Sequence, residues 1–537
     1  MTSSRRSNPT PNPSSFILQK MWLLFGLAVF IGGMAPQPTA AQTERPPVPE
    51  ALAAWIEAGM AAWDIPGMSV SIVRDDEVVF AQGFGIRKLG ETEAVDEHTI
   101  FGVASTTKAF TAAALGLLVD EGRLGWDDPV TRHLPGFELY DPYVTRAITI
   151  RDLLTHRSGL GRMTGNRLQY MPFRDQSELL YRMRYMQPER PFREGYVYSN
   201  MMYMVAGEVI SAVTGTGWDE FVRQRFFEPL GMDRSSTSIT QIGDWENAAW
   251  PHQLIEGDLR TIPRRNFDNV GASASVNTSA ADMAQWMRLH LGEAGVFEGQ
   301  RLISPETARE LYRIVTPIPG GNREAPITAY ALGWTVSSWN GRTIYRHGGA
   351  TDGMNTTLIL IPEENTGIFI TTNTFNTFMN ALGRKLKDYY TGAEFRDWHE
   401  VYLRNYEQQF ERVMALRQEI HDARIPGTQP SRELSAYTGL FHDPLYDDVR
   451  VVQGEAGLEL HFWGDPTQIA DLEHWHHDTF RAVWRNPAQR EKFVWFQTDR
   501  DGVPAELHVQ FSLRPMLLQA GAYPTNYYRI VEYRRVE

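Results

Sequence analysis

A serine and a lysine stand three residues apart where an apolar helical pattern begins, in the stretch "FGVASTTKAFTAAALGLLVDEG" from Phe101 onward. Three residues make about 300° of helical turn, so Lys108 lies on nearly the same face as Ser105 and its amine can reach the hydroxyl. A serine hydroxyl is a weak nucleophile until a base takes its proton, and a desolvated lysine whose pKa falls toward neutrality can take it. The pair is a candidate nucleophile and base.

Lysine is rare in this chain, with six lysines among the 52 basic residues. Arginine does not give up its proton in a protein, so a lysine at the start of a buried helix indicates a chemical role. The spacing alone is a weak signal, because a helix-capping serine followed by a lysine that extends its amine to solvent has the same pattern. Two further segments favour the chemical interpretation.

These segments are "GYVYSNMMYMVAGEVI" and "YRHGGATDG". The first places Tyr198 and Asn200 at the start of another apolar helix, and the second places His347 and Gly349 at the end of a strand. The order SxxK, YxN and a basic residue followed by glycines resembles the serine β-lactamase and penicillin-binding protein superfamily. The tyrosine in the second motif and the histidine in the third resemble its branch of class C β-lactamases and D-peptidases or esterases.

The resemblance covers about residues 48–395 and includes the segments "LLTHRSGL" and "GASASVNTSAADMAQW". It implies an α+β fold, with an antiparallel sheet flanked by helices and a mainly helical inserted subdomain. The segment "HWHHDTFRAVW" is similar to the small lipocalin-like C-terminal domains of some prokaryotic members. This second resemblance implies a small all-β barrel at the C-terminal end of the chain.

The resemblance also implies roles for four side chains. Ser105 would attack a carbonyl group and form an acyl-enzyme, while Lys108 and Tyr198 would share the proton relay. Which of these two is the general base stays open. Asn200 would hold the amide of the substrate.

The third motif would bind substrate through its strand edge. The backbone amides of Ser105 and Ala350 would form the oxyanion hole, and Gly349 would let the strand come close to the substrate. His347 stands where many β-lactamases have a lysine that helps hold the substrate carboxylate. A histidine is mostly neutral near pH 7, so we expect slow penicillin turnover beside clear esterase or peptidase activity, unless an arginine elsewhere in the cleft supplies the charge.

The remaining histidines do not indicate a metal site. His474, His476 and His477 form a polar strand end, where adjacent side chains point to opposite faces. His399 and Glu400 lack the second histidine of a zinc-protease helix, because position 403 is leucine. We expect His156 to be structural, and we expect neither a metal nor a cofactor.

The composition separates four parts of the chain. Residues 1–41 contain basic residues, an apolar stretch of about 15 residues and then small residues, which is typical of a cleaved signal peptide; an uncleaved membrane anchor is the alternative. Residues 42–395 form the predicted hydrolase domain. Residues 396–430 combine a charged amphipathic helix with "IPGTQP" and are a predicted linker, and some eight short strands follow in residues 431–537.

Strand patterns lie at both ends of the hydrolase region. The runs "MSVSIVR" and "EVVFAQGFG" predict a β-hairpin, and "YALGWTVSS", "RTIYRHGG", "TTLILIPE" and "GIFITTN" predict a meander. Helices and loops occupy most of residues 101–291. The two sets of strands can pair in one antiparallel sheet only if this helical section is an insertion packed beside it.

The net charge of -13 argues against nucleic-acid or anionic-membrane partners, so a small molecule or short peptide is the expected substrate. The chain has no cysteine, so neither a disulfide nor a lipidated cysteine can form. We expect a periplasmic or secreted protein with no stable membrane anchor after signal cleavage. The oligomeric state stays open, with a homo-oligomer as one alternative.

The leading hypothesis is an exported serine hydrolase that acts through an acyl-enzyme on D-amino-acid peptides, esters or related amides, such as a D-aminopeptidase, carboxypeptidase or esterase. One alternative is a class C-like β-lactamase. A second alternative is a β-lactam or cell-wall-peptide binding protein that is acylated once and does not turn over. Burst kinetics separate these hypotheses, because only a hydrolase continues into a steady state.

Overall fold

The computed structural model describes residues 47–161, 164–171, 175–242, 246–255, 257–320, 325–486, 489, 492–512 and 528–536. The predicted signal peptide lies outside these residues. The α-helices are α1 (Leu52–Ala62), α2 (Thr107–Asp120), α3 (Val130–His133), α4 (Pro142–Ala147), α5 (Ile150–Leu154), α6 (Gln176–Arg182), α7 (Asn200–Thr214), α8 (Trp218–Val222), α9 (Gly271–Ala274), α10 (Ala280–His290), α11 (Pro305–Leu311), α12 (Phe378–Thr391) and α13 (Trp398–Asp422).

The strands fall into a central sheet, a barrel and three short pairs. They are β1 (Gly67–Arg74), β2 (Glu77–Gly85), β3 (Phe101–Gly102), β4 (His252–Ile255), β5 (Asp258–Thr261), β6 (Asn277–Thr278), β7 (Val296–Phe297), β8 (Gln300–Arg301), β9 (Thr316–Pro317), β10 (Thr328–Tyr330), β11 (Thr335–Trp339), β12 (Arg342–Thr351), β13 (Met354–Ile361), β14 (Thr366–Thr372), β15 (Gly439–Asp443), β16 (Asp447–Gln453), β17 (Leu458–Phe462), β18 (Ile469–His476), β19 (Thr479–Trp484), β20 (Lys492–Thr498), β21 (Pro504–Ser512) and β22 (Tyr528–Arg535).

The central sheet joins both ends of the hydrolase region. Its eight antiparallel strands have the order β2-β1-β14-β13-β12-β11-β10-β9. The N-terminal hairpin meets the later meander where β1 pairs with β14, for example Val70 with Ile370. The sequence-based expectation of one sheet with a helical insertion is therefore confirmed.

Both faces of the sheet are covered by helices, which explains why its inner strands read as continuous apolar runs. Along β13, Leu358 and Leu360 belong to the same apolar cluster as residues of α2 and α10. Ile359 and Ile361 point to the opposite face and join a cluster with α1 and α12. The alternation of strand side chains thus divides one strand between two cores, and the first core carries the helix that begins at Thr107.

The C-terminal part is a closed antiparallel barrel of the strands β15 to β22. Its interior is apolar because alternate residues point inward, as Val449 and Val451 of β16 do. This confirms the predicted all-β barrel, and α13 occupies most of the segment predicted as a helical linker. The exact domain boundaries stay predictions. Among the described residues, no helix combines the length and apolar character needed to cross a membrane.

Candidate active site

Ser105 lies in a strained turn that leads into α2. The preceding residue, Ala104, has φ 45°, a left-handed conformation that costs a non-glycine residue about 1–3 kcal/mol. A 3-10 turn over Ala104–Thr106 then continues directly into the helix. Ala104 and Thr106 are buried, whereas Ser105 between them is half-buried. The turn therefore presents the Ser105 side chain at the edge of an otherwise buried segment.

Lys108 is fully buried and its amine lies among oxygen atoms. The Nζ atom is 3.2 Å from Ser105 Oγ, 2.8 Å from Asn200 Oδ1 and 2.8 Å from the backbone oxygen of Ser273. An ammonium group has three protons, and these three oxygen atoms are all neutral acceptors. The helical spacing thus brings the amine to the hydroxyl, as the sequence predicts.

Tyr198 and Asn200 approach the same amine from the start of α7. The Lys108 Nζ atom lies 4.9 Å from the centre of the Tyr198 ring. Asn200 is 7% exposed, and its Nδ2 atom donates to Gln169 Oε1 at 3.4 Å. The structure therefore brings together the first two predicted motifs, although 92 residues separate Lys108 from Asn200.

His156 holds the segment that carries Tyr198. Its buried ring accepts a hydrogen bond at Nδ1 from the backbone amide of Ser199, at 3.2 Å. The ring centre is also 4.2 Å from that of Tyr198 and 4.3 Å from that of Tyr330. The histidine that we expected to be structural thus packs against the second motif and fixes its backbone.

Gly349 is where β12 comes closest to the nucleophile turn. A Cβ atom at position 349 would lie 1.9 Å from the backbone oxygen of Val103 and 3.3 Å from the backbone nitrogen of Ser105. Only glycine permits this approach, since real Cβ contacts are longer than 3 Å. Ala350 is the next residue of β12 after Gly349, so its backbone amide lies beside this contact. The geometry is compatible with an oxyanion hole formed by the amides of Ser105 and Ala350.

His347 is 5% exposed and is hydrogen-bonded inside the protein. Its Nδ1 atom lies 2.9 Å from the backbone oxygen of Gly348, and its Nε2 atom lies 2.8 Å from the Tyr330 hydroxyl. A carbonyl oxygen only accepts, so Nδ1 carries a proton and donates it to Gly348, while Nε2 and the Tyr330 hydroxyl share the second hydrogen bond. Burial also raises the pKa of Tyr330 well above its usual value. A direct role of His347 in substrate binding stays a prediction.

A pocket adjoins the nucleophile turn. Gly102 and Ala104 form one side of it, next to Ser105. Its remaining wall mixes polar and apolar side chains, and the apolar residues include Ile100, Ile239, Ile242, Pro251, Phe267 and Met354. The pocket can therefore hold an apolar portion of a substrate beside the reacting hydroxyl.

The barrel contacts the segment that carries Gln169. The backbone amide of Gly165 donates to the Tyr446 hydroxyl at 3.1 Å, and this contact is buried. Arg182 forms an ion pair with Asp447 at 3.0 Å and donates to the backbone oxygen of Pro444 at 3.1 Å. The barrel therefore packs next to one wall of the candidate site.

One group of barrel residues has the composition of a metal site. His442, Asp447 and Asp448 bring their ligand atoms within 4.8 Å of one another. However, Asp447 pairs with Arg182, and His442 Nδ1 lies 2.8 Å from Asp448 Oδ1. Because neighbouring groups already engage these ligand atoms, we assign no metal to them.

Several groups at the site have no clear signal in the sequence. The contribution of Ser273 is a backbone oxygen, which any residue type could supply. Gln169 lies far along the chain from Asn200 and belongs to no recognised motif. Ala104 gives no indication of its left-handed conformation, which glycine or asparagine would have indicated.

Comparisons with known proteins support the family and the fold of this chain. The Beta-lactamase family model matches residues 52–390, more than half of the chain, and a model described as "Domain of unknown function (DUF3471)" matches residues 423–520. The Unguisins hydrolase of Aspergillus campestris is 29% identical over 434 residues, which cover 76% of this chain and 78% of that protein.

Two solved structures share the fold. The octameric penicillin-binding protein homologue from Pyrococcus abyssi has a TM-score of 0.58 and 20% identity, over 85% of this chain and 97% of that one. A D-stereospecific amidohydrolase from Streptomyces has a TM-score of 0.50 and 23% identity, over 60% of this chain and 93% of that one. At these identities, the two structures support the fold alone.

Proposed function

The chain belongs to the Beta-lactamase family, whose members are serine hydrolases, and we propose that it hydrolyses D-amino-acid peptides, esters or related amides through an acyl-enzyme on Ser105. The observation that carries this proposal is the contact between the Lys108 amine and the Ser105 hydroxyl, at 3.2 Å. A fully buried amine at this distance from a half-exposed hydroxyl is suited to proton transfer.

In the acylation step, Ser105 Oγ attacks the substrate carbonyl carbon as its proton passes to the relay of Lys108 and Tyr198. The bond to the leaving amine or alcohol then breaks, and the relay returns the proton to that group. A water molecule subsequently attacks the acyl-enzyme and restores the hydroxyl. The position of Lys108 between Ser105 and Asn200 supports its place in this relay, and either Lys108 or Tyr198 is the base.

The developing negative charge would be held by the backbone amides of Ser105 and Ala350. The close approach of Gly349 to Val103 and Ser105 supports this assignment, because it brings β12 against the nucleophile turn. One donor of an oxyanion hole contributes about 3 kcal/mol to barrier lowering. Asn200 would orient the substrate amide beside this site.

Two names among the similar proteins support the substrate class. One structure with this fold is a D-stereospecific amidohydrolase, and one related sequence is the Unguisins hydrolase. The apolar part of the pocket beside Ala104 offers space for a side chain of a peptide or for the acyl group of an ester. We propose that the natural substrate places an apolar portion there.

We further propose that the protein is exported and that the barrel either covers the cleft or supports a homo-oligomer. The apolar stretch near the N-terminus supports export, and the octameric structural relative supports oligomerisation. The mass of the mature protein from its native host tests cleavage near Ala41. Light scattering on the purified protein tests the oligomer.

The catalytic proposal is tested by intact-protein mass spectrometry after exposure to penicillins, D-alanyl peptides and short esters. We expect a mass increase equal to the acyl group, its absence in Ser105→Ala, and sustained release of product. A stable stoichiometric adduct without steady-state turnover would instead identify a binding protein. Fast turnover of penicillins or cephalosporins would favour the β-lactamase alternative.

A further inference from the structure

Arg265 is a buried charged residue in the wall of the pocket that adjoins Ser105. Only 9% of its side chain is exposed. Its Nη2 atom is buried and has no hydrogen-bond partner among the described residues. A buried guanidinium nitrogen without an acceptor is costly, which indicates that a ligand supplies the acceptor.

The guanidinium group of Arg265 is held firmly in place. Its Nη1 atom is 3.4 Å from Asp352 Oδ2, and its carbon atom Cζ lies 3.2 Å above the centre of the Tyr170 ring. The Phe267 ring centre is 4.4 Å from the same carbon. One edge of the group is therefore engaged by a carboxylate and its plane is stacked on aromatic rings, so the Nη2 edge is positioned before any ligand binds.

A second arginine lines the pocket, and further basic residues lie near it. Arg264 also lines the pocket and donates to the backbone oxygen atoms of Ala248 and Ala249. Arg167 of the hydrolase domain lies over the same Tyr170 ring as Arg265, with its Cζ atom 4.9 Å from the ring centre.

The barrel adds Lys492 to this set. Burial lowers the pKa of Lys492 well below its usual value, the charge of Arg167 lowers it further, and Asp352 opposes both effects. The acidic residues of the pocket are Asp352 and Asp268. The described wall of the pocket thus carries two basic and two acidic side chains, and it is the unpartnered Nη2 atom of Arg265 that favours a negatively charged ligand group.

His347 is not placed to bind a substrate carboxylate in this pocket, because its ring is buried against Tyr330. From the sequence we expected weak binding of a substrate carboxylate, on the condition that no arginine in the cleft supplies a positive charge. Arg265 is such an arginine, so the expectation of weak carboxylate binding no longer applies.

We propose that Arg265 determines specificity by binding a carboxylate on the part of the substrate that enters this pocket. This inference rests on the proposed hydrolase function and adds the substrate class: acyl donors with an anionic side chain. The carboxylate would accept from Nη2 while the adjoining apolar wall contacts the methylene groups of the side chain.

The test compares two substrates of nearly equal shape, D-glutamyl 4-nitroanilide and D-glutaminyl 4-nitroanilide. We expect the wild-type protein to prefer the charged substrate by at least about tenfold in kcat/KM. Arg265→Met should lower this preference about 10- to 100-fold, and Arg265→Lys should retain part of it because it keeps the charge but not the planar group.

Arg260→Met is the matched control, since Arg260 lies on the nearby strand β5, is half-exposed and does not line the pocket. It should leave the preference unchanged. Equal losses for both substrates in Arg265→Met would show a merely structural role and overturn the inference. Turnover of both substrates without a preference in the wild-type protein would also overturn it. Turnover of neither substrate would reject the proposed amide hydrolysis, and the inference with it.

Discussion

Two buried lysines, one in each domain, differ in the residue three positions before them. Lys108 donates to the hydroxyl of Ser105, whereas Lys492 donates to Oε1 of Gln489 at 2.9 Å. Both side chains are at most 6% exposed. A hydroxyl can attack a carbonyl group after losing its proton, but a carboxamide cannot. Burial of a lysine is therefore no sign of catalysis unless a nucleophile lies within hydrogen-bond distance.

The surroundings extend this contrast. Lys108 also donates hydrogen bonds to Asn200 and to the backbone oxygen of Ser273. The edge of β12 approaches the turn that carries Ser105. Lys492 instead lies with its Nζ atom 4.3 Å from the centre of the Trp484 ring. The first lysine is part of a set of groups arranged around a reacting atom, whereas the second only packs against its neighbours in the barrel.

The strongest test of the contrast exchanges each lysine for arginine. Lys108→Arg keeps the positive charge but cannot accept a proton, so we expect it to lower kcat/KM nearly as much as Ser105→Ala, by at least about 1,000-fold. Lys492→Arg should stay within about fivefold of the wild-type value. Steady-state kinetics on any substrate that acylates Ser105 measure both. If Lys108→Arg kept more than about a tenth of wild-type activity, its role in the relay would be wrong.

The next test concerns the glycine pair of β12. Gly349→Ala would place a Cβ atom 1.9 Å from the Val103 backbone oxygen, so β12 must move away from the nucleophile turn. We expect kcat to fall at least about 100-fold with little change in KM, because the oxyanion donors lose their positions. Gly348→Ala is the control.

At position 348 the nearest atoms to an added Cβ are 3.5 Å and 3.6 Å away, which is ordinary contact. Gly348→Ala should therefore keep most of the activity. Equal losses in both variants would mean that the strand edge is simply intolerant of side chains, and the special closeness at Gly349 would explain nothing about catalysis.

The motifs that could be read from the sequence share one property, namely that local spacing determines their geometry. Ser105 and Lys108 lie on one helical turn, and the alternation along β13 places its side chains on two faces. The apolar runs at both ends of the hydrolase region also predict that β1 pairs with a strand of the later meander, because strands with two buried faces must lie inside a sheet. These features follow from the periodicities of helix and strand.

Groups that depend on long-range folding could not be read in this way. The contact between Gly165 and Tyr446 joins residues 281 positions apart, and no motif marks either one. Strand alternation places His347 and Gly349 on the same face but does not reveal that Tyr330 covers the histidine. The pocket around Arg265 likewise joins residues from distant parts of the chain, such as Ile100, Arg265 and Met354, whose relative placement depends on tertiary packing.

A smaller effect is expected at the contact between the barrel and the hydrolase domain. Tyr446→Phe removes the acceptor of the buried Gly165 amide, so the segment with Gln169 should become less ordered beside Asn200. We expect kcat/KM to fall about 3- to 10-fold while the barrel stays folded. The control is Leu434→Ala, in the 3-10 turn before β15, which should not change kcat/KM.

Light scattering on the same Tyr446→Phe protein tests the second role proposed for the barrel. Unchanged kinetics together with an unchanged solution mass would count against both covering of the cleft and support of an oligomer through this contact. A lower mass with unchanged kinetics would leave oligomerisation as the role.

The smallest effect concerns a half-buried acid outside the catalytic set, Asp219 of α8. Burial raises its pKa to about 6, the Thr237 hydrogen bond opposes this shift, and the charge of Asp268 adds to it. A carboxyl group with a raised folded pKa favours folding in its protonated form, so its stabilisation is complete below about pH 4 and is lost as pH rises through about 6.

Asp219→Asn removes the buried charge and should stabilise the protein above pH 6 by about 1–3 kcal/mol, a rise in Tm of about 1–3 °C, with no gain below pH 4. Thermal unfolding between pH 4 and pH 8 measures this difference, and Asp258→Asn, which changes an exposed residue, is the control. A gain independent of pH would show that the carboxyl group does not ionise in the folded protein over this range, and the expected titration of Asp219 near pH 6 would be wrong.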